Sequence, residues 1–210
     1  MTKKIAKQDV KAQILQAAEQ EFLSVGYAGA RTMNIAKNAG VTHAMLHYYY
    51  KSKENLFESV FSEKVAEFFG GFEAIMNSEK SFSEKAQTLM KTHRQIMINN
   101  AKLPLFIISE ASKNPALLRK AIMGDKEKSP VMLFIQSFKR EVEKAIRAKE
   151  IKSIKPLELL ITLVSLNVFP VLAFPLIQAV GIVPEKEFTN MMKKRNDSLY
   201  LSFIDTLKKS

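Results

Sequence analysis

The sequence predicts an all-α fold, with a small N-terminal helix-turn-helix domain followed by a larger helical domain. Apolar residues recur at helical spacing along most of the chain, and no sustained two-residue alternation typical of strands occurs. Several of the seven prolines lie where a helix would begin. Between residues 31 and 57, two short helical segments flank a turn that contains glycine, which indicates a separate N-terminal module.

Composition narrows the range of functions. The chain has no cysteine, which excludes disulfides, thiolate nucleophiles and cysteine-based metal sites. A net charge of +11 favours an anionic partner such as nucleic acid or an acidic membrane surface. The basic N-terminus is followed by polar Gln8, Asp9 and Lys11 where a secretory signal would become apolar, so we expect a cytoplasmic protein.

The first helix is expected from about Asp9 to Val25. Gly26 then provides a stop, because glycine tolerates the left-handed conformation found after helix ends. The apolar residues that share one face of this helix recur every four positions: Val10, Ile14, Ala18 and Phe22.

Three further helices are each expected to follow a residue whose hydroxyl can cap a helix. They are Met33–Ala39 after Thr32, His43 to about Tyr49 after Thr42, and Lys53–Phe69 after Ser52. Glycines mark two of the ends: Gly40 for the second helix, and Gly70 with Gly71 for the fourth.

The remainder is expected to be helical as well. The predicted segments are about Ser83–Asn99, Pro104–Lys113, Pro115–Met123, Pro130–Lys149, Pro156–Val180 and Pro184–Lys208. Pro170 lies inside one of them, and its ring clashes with the carbonyl of Leu166, which predicts a kink or break there.

The segment Arg31–Phe57 (RTMNIAKNAGVTHAMLHYYYKSKENLF) has the plan of a helix-turn-helix. Ala36 is small, as needed where two helices cross closely, and Gly40 lies in the turn. The apolar residues that would form the core between the helices are Ile35, Val41 and Leu46. The exposed residues of the third helix are polar or aromatic: Thr42, His43, His47, Tyr48 and Tyr49.

This segment resembles the DNA-binding domain of the TetR/AcrR family of regulators. The matching positions are Thr32, Ile35, Ala36, Ala39, Gly40, Val41, Leu46, Tyr49, Lys53 and Leu56, and the upstream run Ile14–Tyr27 is similar to the family's first helix. Three positions depart from the family pattern: Ala44 replaces the usual Gly, His47 the usual Tyr and Tyr50 the usual Phe. These departures leave the docking mode intact but bear on the operator sequence.

The resemblance implies a role for each matched residue of the motif. Thr32, Thr42 and Lys53 would contact phosphates, His43, Ala44 and Met45 would face the bases, and His47, Tyr48 and Tyr49 would hold the DNA backbone. Arg31 is a candidate guanine reader. Alternatives remain for several of them: Tyr50 in the core, His43, Lys37 and Lys51 in solvent, and Lys3, Lys4 and Lys7 as a flexible basic arm.

The resemblance also implies two domains. Residues 1–57 would form the DNA-binding domain, and residues 58–210 would form an effector-binding and dimerisation domain. The expected function is a repressor that leaves double-stranded operator DNA when it binds a small, largely apolar effector. The expected homodimer forms through the last two helices, at about 156–180 and 184–208. No effector site is assigned, because each candidate residue could either line an effector pocket or belong to the hydrophobic core. The candidates are Phe72, Met97, Phe106, Phe134, Phe138 and Phe169.

The two alternatives to a regulator are a membrane-associated protein and an enzyme. Leu159–Val183 has no charged residue over 25 positions, long enough to cross a bilayer, but its two prolines and its polar residues favour a buried dimer helix. For an enzyme, the sequence offers three histidines, two of them in the third helix, and no phosphate loop, nucleophile motif or metal-ligand cluster. No catalytic residue, metal or cofactor is therefore expected, and Glu110 and Glu158 are read as pocket-wall or paired residues.

Overall fold

The computed structural model describes residues 2–100, 102–124, 129–194 and 198–208, and within them it has eleven helices and no strand. The predicted all-α fold is confirmed. The helices are α1 Thr2–Gly29, α2 Thr32–Asn38, α3 His43–Tyr50, α4 Lys53–Met76, α5 Phe82–Asn99, α6 Lys102–Lys113, α7 Pro115–Met123, α8 Pro130–Arg147, α9 Pro156–Ala179, α10 Glu185–Lys194 and α11 Ser198–Leu207.

The chain divides into two compact units. One comprises Met1–Glu67 and Phe106–Val131, and the other comprises Phe68–Leu105 and Met132–Ser210. The unit boundaries therefore fall inside α4, α6 and α8. The first unit thus contains residues 1–57 of the expected DNA-binding domain together with a later segment of the chain.

An aromatic core holds the first unit together. Phe22 of α1 meets Phe57 of α4 edge-on at 5.1 Å between ring centroids, and Phe57 contacts Phe61 at 4.4 Å. Phe61 stacks in turn on Phe106 of α6 at 5.0 Å. Ile14 and Phe22 are fully buried, so the four-residue spacing read from the sequence does mark the inner face of α1.

The ends of α1 and α2 differ in part from expectation. α1 continues to Gly29, but Gly26 leaves helical geometry with φ 72° and ψ 172°, so the predicted stop is a sharp kink. α2 begins at Thr32 itself, and Arg31 before it is extended and makes no side-chain cap. The predicted cap at Thr32 was therefore wrong, because the Thr32 hydroxyl bonds to a side chain of α3 instead.

The caps of α3 and α4 match the prediction. Thr42 accepts a hydrogen bond from the Met45 backbone N–H at 3.2 Å, and Ser52 accepts one from Asn55 at 3.1 Å. The predicted end of α4 at Gly70 and Gly71 was wrong, since the helix continues to Met76. Phe72 and Met76 are buried in the second unit, and this packing outweighs the weak helix propensity of glycine.

In the second unit, α9, α10 and α11 all pack on α5. The buried apolar residues of α8 recur at helical spacing and face the same core: Phe134, Phe138, Val142 and Ala145. Lys85 of α5, almost fully buried, pairs with Glu141 of α8 at 2.5 Å. Burial alone would raise the pKa of Glu141, but the hydrogen bond and charge of Lys85 outweigh it and hold the pKa below its usual range.

α9 is continuous, so the predicted kink or break at Pro170 is not a break, and the kink stays a prediction. The helix runs from Pro156 to Ala179 with Pro170 and Pro175 inside it. The fixed φ of proline is compatible with a helix, although each proline leaves one backbone hydrogen bond unmade. The predicted final helix corresponds to α10 and α11, and residues 195–197 between them lie outside the described part of the chain.

Only one face of α9 is buried, along Leu159, Leu163 and Asn167. The other face is apolar and exposed, with Leu157, Ile161, Phe169 and Leu176 each at least 60 % accessible. Within the described residues, α9 is the one helix whose length and hydropathy would allow it to cross a membrane, and 17 % of its most apolar window is buried.

A polar contact lies inside the core of the second unit. The Asn167 side-chain amide of α9 donates to the carbonyl of Met90 and lies 3.1 Å from Nδ1 of His93 on α5. Both Asn167 and His93 are buried. Burial disfavours the charged imidazolium and lowers the pKa of His93 to about 4.

The buried imidazole of His93 predicts a loss of stability in acid. Unfolded chains take up a proton near pH 6.5, whereas folded His93 does so near pH 4, so stability falls as the pH drops between these values. The expected loss is about 3 kcal/mol in the free energy of unfolding, measured by urea titration at several pH values. His93→Gln keeps an acceptor for Asn167 but cannot titrate, and its stability should fall less. An equal fall in both proteins would rule out His93 as the cause.

Candidate DNA-binding surface

The packing of α3 determines which of its residues face outward. Leu46 and Tyr50 are buried against the core of the first unit. Ala44 and Tyr48 lie on the opposite side of the helix and are exposed, with Met45 and His47 on either flank. All four belong to the predicted site, and the structure places them on one accessible surface.

The turn between α2 and α3 has the geometry that the motif predicts. Gly40 has φ 68°, a conformation that side chains rarely adopt, and the N–H of Val41 returns to the carbonyl of Ala36 at 3.0 Å. Ala36 is 2 % exposed, as expected of a small residue between two crossing helices. α2 therefore holds α3 from behind and leaves its outer face accessible.

A groove of about 450 Å³ lies beside this surface and includes His47 in its lining. Its lining includes three cationic side chains, those of Arg31, Lys51 and Lys53, and no acidic residue. The groove therefore attracts anions such as backbone phosphates. The full lining is Ala30, Arg31, Thr32, Met33, His43, Leu46, His47, Lys51, Ser52 and Lys53.

Thr32 and His43 were predicted to make separate DNA contacts, and the structure brings them together. The hydroxyl oxygen of Thr32 lies 3.0 Å from Nε2 of His43, which joins the start of α2 to the start of α3. His43 is thus exposed but held by a partner. The bond fixes the orientation of the imidazole at the N-terminal end of α3.

Comparison with known families identifies this module. Residues 14–60 match the family model described as bacterial regulatory proteins, tetR family. The helix-turn-helix module of this chain is a tetR-family domain over these matched residues. The match spans the helix-turn-helix and the first residues of α4, the same segment that carries the groove.

One curated protein that this chain resembles is a regulator of fatty acid metabolism. The "Fatty acid metabolism regulator protein" of Bacillus subtilis (strain 168) is 27 % identical over 110 residues, which are 52 % of this chain and 57 % of that protein. The chain thus spans little more than half the length of this curated relative.

Solved structures share the fold at low sequence identity. FadR from Bacillus subtilis, crystallised in complex with stearoyl-CoA, has a TM-score of 0.66 at 19 % identity and covers 87 % of this chain and 94 % of its own. The fatty acid degradation regulator FadR from Bacillus halodurans has a TM-score of 0.63 at 20 % identity, with the same coverage.

The ammonium group of Lys53 is hydrogen-bonded within the tetR-family domain. Its ammonium donates to the carbonyl of Tyr27 at 2.9 Å and to that of Ala30 at 3.0 Å, and lies 4.5 Å from the centroid of the Tyr27 ring. Two of its three N–H donors are therefore used to tie the start of α4 to the end of α1. The phosphate contact predicted for Lys53 remains a prediction, with one donor left for it.

Lys51 lies at a tight turn between α3 and α4. It has φ 64°, and the N–H of Ser52 bonds back to the carbonyl of Tyr50 at 2.7 Å. Its ammonium lies 5.0 Å from the centroid of the exposed Tyr48 ring. Tyr50 itself is buried, which supports the core alternative for this residue, and burial raises its pKa to about 12.

Several supporting residues gave no signal in the sequence. Glu21 of α1 accepts hydrogen bonds from the backbone N–H of Arg31 at 3.2 Å and the side-chain amide of Asn34 at 3.1 Å. Glu54 accepts one from the Tyr27 hydroxyl at 2.6 Å, and this bond lowers the pKa of Glu54. These contacts join residues 10 to 27 positions apart, beyond the reach of a local pattern. The side chains of Lys3, Lys4 and Lys7 lie outside the described structure.

The structure shows whether each candidate pocket or core residue is buried or exposed. Phe72, Met97, Phe106, Phe134 and Phe138 are all buried. Phe169, in contrast, is 68 % exposed on α9. Glu110 of α6 is buried and paired, since it accepts hydrogen bonds from the Tyr27 backbone N–H and from the Asn114 side chain. Glu158 is exposed in the first turn of α9.

Proposed function

We propose that this protein is a transcriptional repressor that binds operator DNA through α3 and the cationic groove beside it. The observation that carries the proposal is the exposed outer face of α3, flanked by Arg31, Lys51 and Lys53 in a groove without acidic residues. α3 would enter the major groove, and the cations would hold the phosphates on either side. Thr32, Thr42 and Lys53 keep their proposed phosphate contacts, and His43, held by Thr32, lines the same groove.

The repressor acts as a homodimer in the cytoplasm. The exposed apolar face of α9 needs a cover, and a second copy of α9, with the helices that follow, would supply it. Two-fold symmetry would then present two α3 helices to a pseudo-palindromic operator. A soluble dimer interface accounts for a helix that is apolar on both faces without a membrane.

The effector is a long-chain acyl-CoA. This proposal rests on the relative named as a fatty acid metabolism regulator and on the similar structure crystallised with stearoyl-CoA. The acyl chain of such a ligand is apolar, as expected of the effector from the sequence, whereas its coenzyme A half is larger and anionic. To release DNA it must bind more tightly to the conformation that does not fit the operator.

Selection of binding sites from a randomised duplex library tests the DNA-binding proposal. Duplexes retained by the purified protein should converge on one motif with two-fold symmetry. A mixture without a consensus, bound more weakly as salt rises, would show that only the positive charge of the protein is acting.

The effector proposal is tested on the complex with the selected duplex. Stearoyl-CoA should lower the fluorescence anisotropy of the labelled DNA as it displaces the protein. Coenzyme A and stearate, added separately, serve as controls because each lacks one half of the ligand. If none of these changes the anisotropy, the protein responds to another class of effector, although its DNA binding stands.

Lys51→Ala should weaken binding to all duplexes to a similar degree. The loss of one phosphate contact should also reduce the slope of log affinity against log salt by about 1. Lys51 gives a cleaner test than Lys53, whose ammonium also holds the end of α1. Lys37, exposed on α2 outside the groove, provides the matched control. If the slope of log affinity against log salt is the same for Lys51→Ala as for Lys37→Ala, Lys51 does not contact the DNA.

A further inference from the structure

The outer face of α3 is apolar near its N-terminal end. The helix sequence HAMLHYYY contains no Lys, Arg, Asp, Glu, Asn or Gln. Ala44 and Met45 are exposed near its N-terminal end, where a recognition helix approaches the bases, and Met45 is 38 % accessible. The side chains placed to meet base edges are therefore a methyl group and a flexible thioether.

The chemistry of base recognition leaves few choices for such a face. In the major groove, guanine is read by the paired donors of Arg or Lys, adenine by Asn or Gln, and cytosine by Asp or Glu. None of these residues occurs in α3. Thymine alone presents a methyl group there, and apolar side chains recognise it by direct contact.

The polar side chains near the N-terminal end of α3 are already engaged. The Thr42 hydroxyl accepts the Met45 N–H as a helix cap, and the ring of His43 is bonded to Thr32. His47 is one turn farther along and lines the cationic groove, where a phosphate contact suits it better than a base contact. Ala44 and Met45 thus remain as the residues that discriminate between bases.

We propose that Ala44 and Met45 specify the operator by packing against thymine C5-methyl groups in the major groove. The proposal rests on the proposed DNA-binding function and adds what the recognition helix reads. The operator should then have thymines where each α3 begins. Met45, unbranched and polarizable, can adapt to a methyl group, whereas Ala44 sets how closely the helix backbone approaches the bases.

Deoxyuridine substitution tests the proposal, because it removes only the C5-methyl group of thymine. In the duplex recovered from the randomised library, each thymine is replaced in turn and the affinity is measured by fluorescence anisotropy. One or two thymines in each half-site should lose about three- to tenfold in affinity, as expected for the burial of one methyl group. Replacing each guanine with 7-deazaguanine, which lacks the N7 acceptor, should have little effect.

Two variants assign the contacts to side chains. Ala44→Gly and Met45→Ala should each bind the thymine and uracil duplexes equally at one position while still discriminating at the other. Met33→Ala is the control, since Met33 is 70 % exposed but belongs to α2. Circular dichroism checks that Ala44→Gly keeps its helices.

The outcomes separate the two levels of the argument. If the selected duplex binds tightly but tolerates uracil at every position, or depends on guanine N7 instead, the thymine proposal is overturned and the DNA-binding function stands. Retention of full discrimination by both variants would also overturn it. If the library yields no consensus, the proposed function itself fails and the thymine proposal fails with it.

Discussion

Phe169→Asp should yield a monomer that binds its operator at least about 100-fold more weakly than the native protein does. In the single chain Phe169 is 68 % exposed, so the substitution should leave the fold of each subunit unchanged. In the proposed dimer the aspartate would be buried without a partner, which strongly disfavours association. The operator affinity falls because a monomer binds only one half-site. Light scattering after gel filtration and DNA anisotropy measure the two effects.

A matched surface substitution separates association from a general effect of charge. Ile108 on α6 is 48 % exposed and belongs to the first unit, whereas α9 belongs to the second, so Ile108→Asp should remain dimeric and bind DNA normally. A Phe169→Asp protein that stays dimeric would show that α9 does not form the interface. The apolar face of α9 would then need another cover, and flotation of the protein with lipid vesicles would test the membrane alternative.

Gly26→Ala should lower the free energy of unfolding by about 3 kcal/mol. The φ of 72° and ψ of 172° at Gly26 lie in a region open almost only to glycine. An added Cβ would also lie 3.0 Å from Oε1 of Glu110, the atom that accepts the Tyr27 N–H at 3.1 Å. Relief of this contact would displace a buried carboxylate that also bonds to Asn114 at 2.7 Å. Urea unfolding measures the loss.

Gly71→Ala provides the control of opposite sign. Gly71 lies inside α4, where an added Cβ meets nothing within 4 Å, so alanine should stabilise the protein by about 0.5–1 kcal/mol. If Gly26→Ala were as stable as the native protein, the kink of α1 and its contact with Glu110 would not be as described.

The sequence predicted those features that depend on neighbouring residues. Thr42 and Ser52 are predictable as caps because a cap needs only a hydroxyl just before a helix, and each accepts a backbone N–H three residues ahead. Ala36 and Gly40 were placed correctly because the helix-turn-helix requires a small residue and a positive φ at this spacing. The exposed face of α3 follows from the burial of Leu46.

Features that depend on distant contacts could not be predicted in this way. Gly70 and Gly71 are typical of a helix end, but α4 continues through them because Phe72 is buried in the core of the second unit. Glu110 supports the α1 kink from 83 positions away in the chain, a distance that no local pattern spans. Thr32 has a residue type that suits a cap, yet its hydroxyl bonds to His43 across the turn.

The most direct test of the account is a titration of labelled DNA from upstream of the protein's own gene, compared with a scrambled duplex at two salt concentrations. A sequence-specific regulator should bind the upstream DNA tightly, prefer it clearly over the scramble and retain that preference at the higher salt. Absence of binding to either duplex, even at low salt, would contradict the central claim that α3 and its cationic groove form a DNA-binding surface.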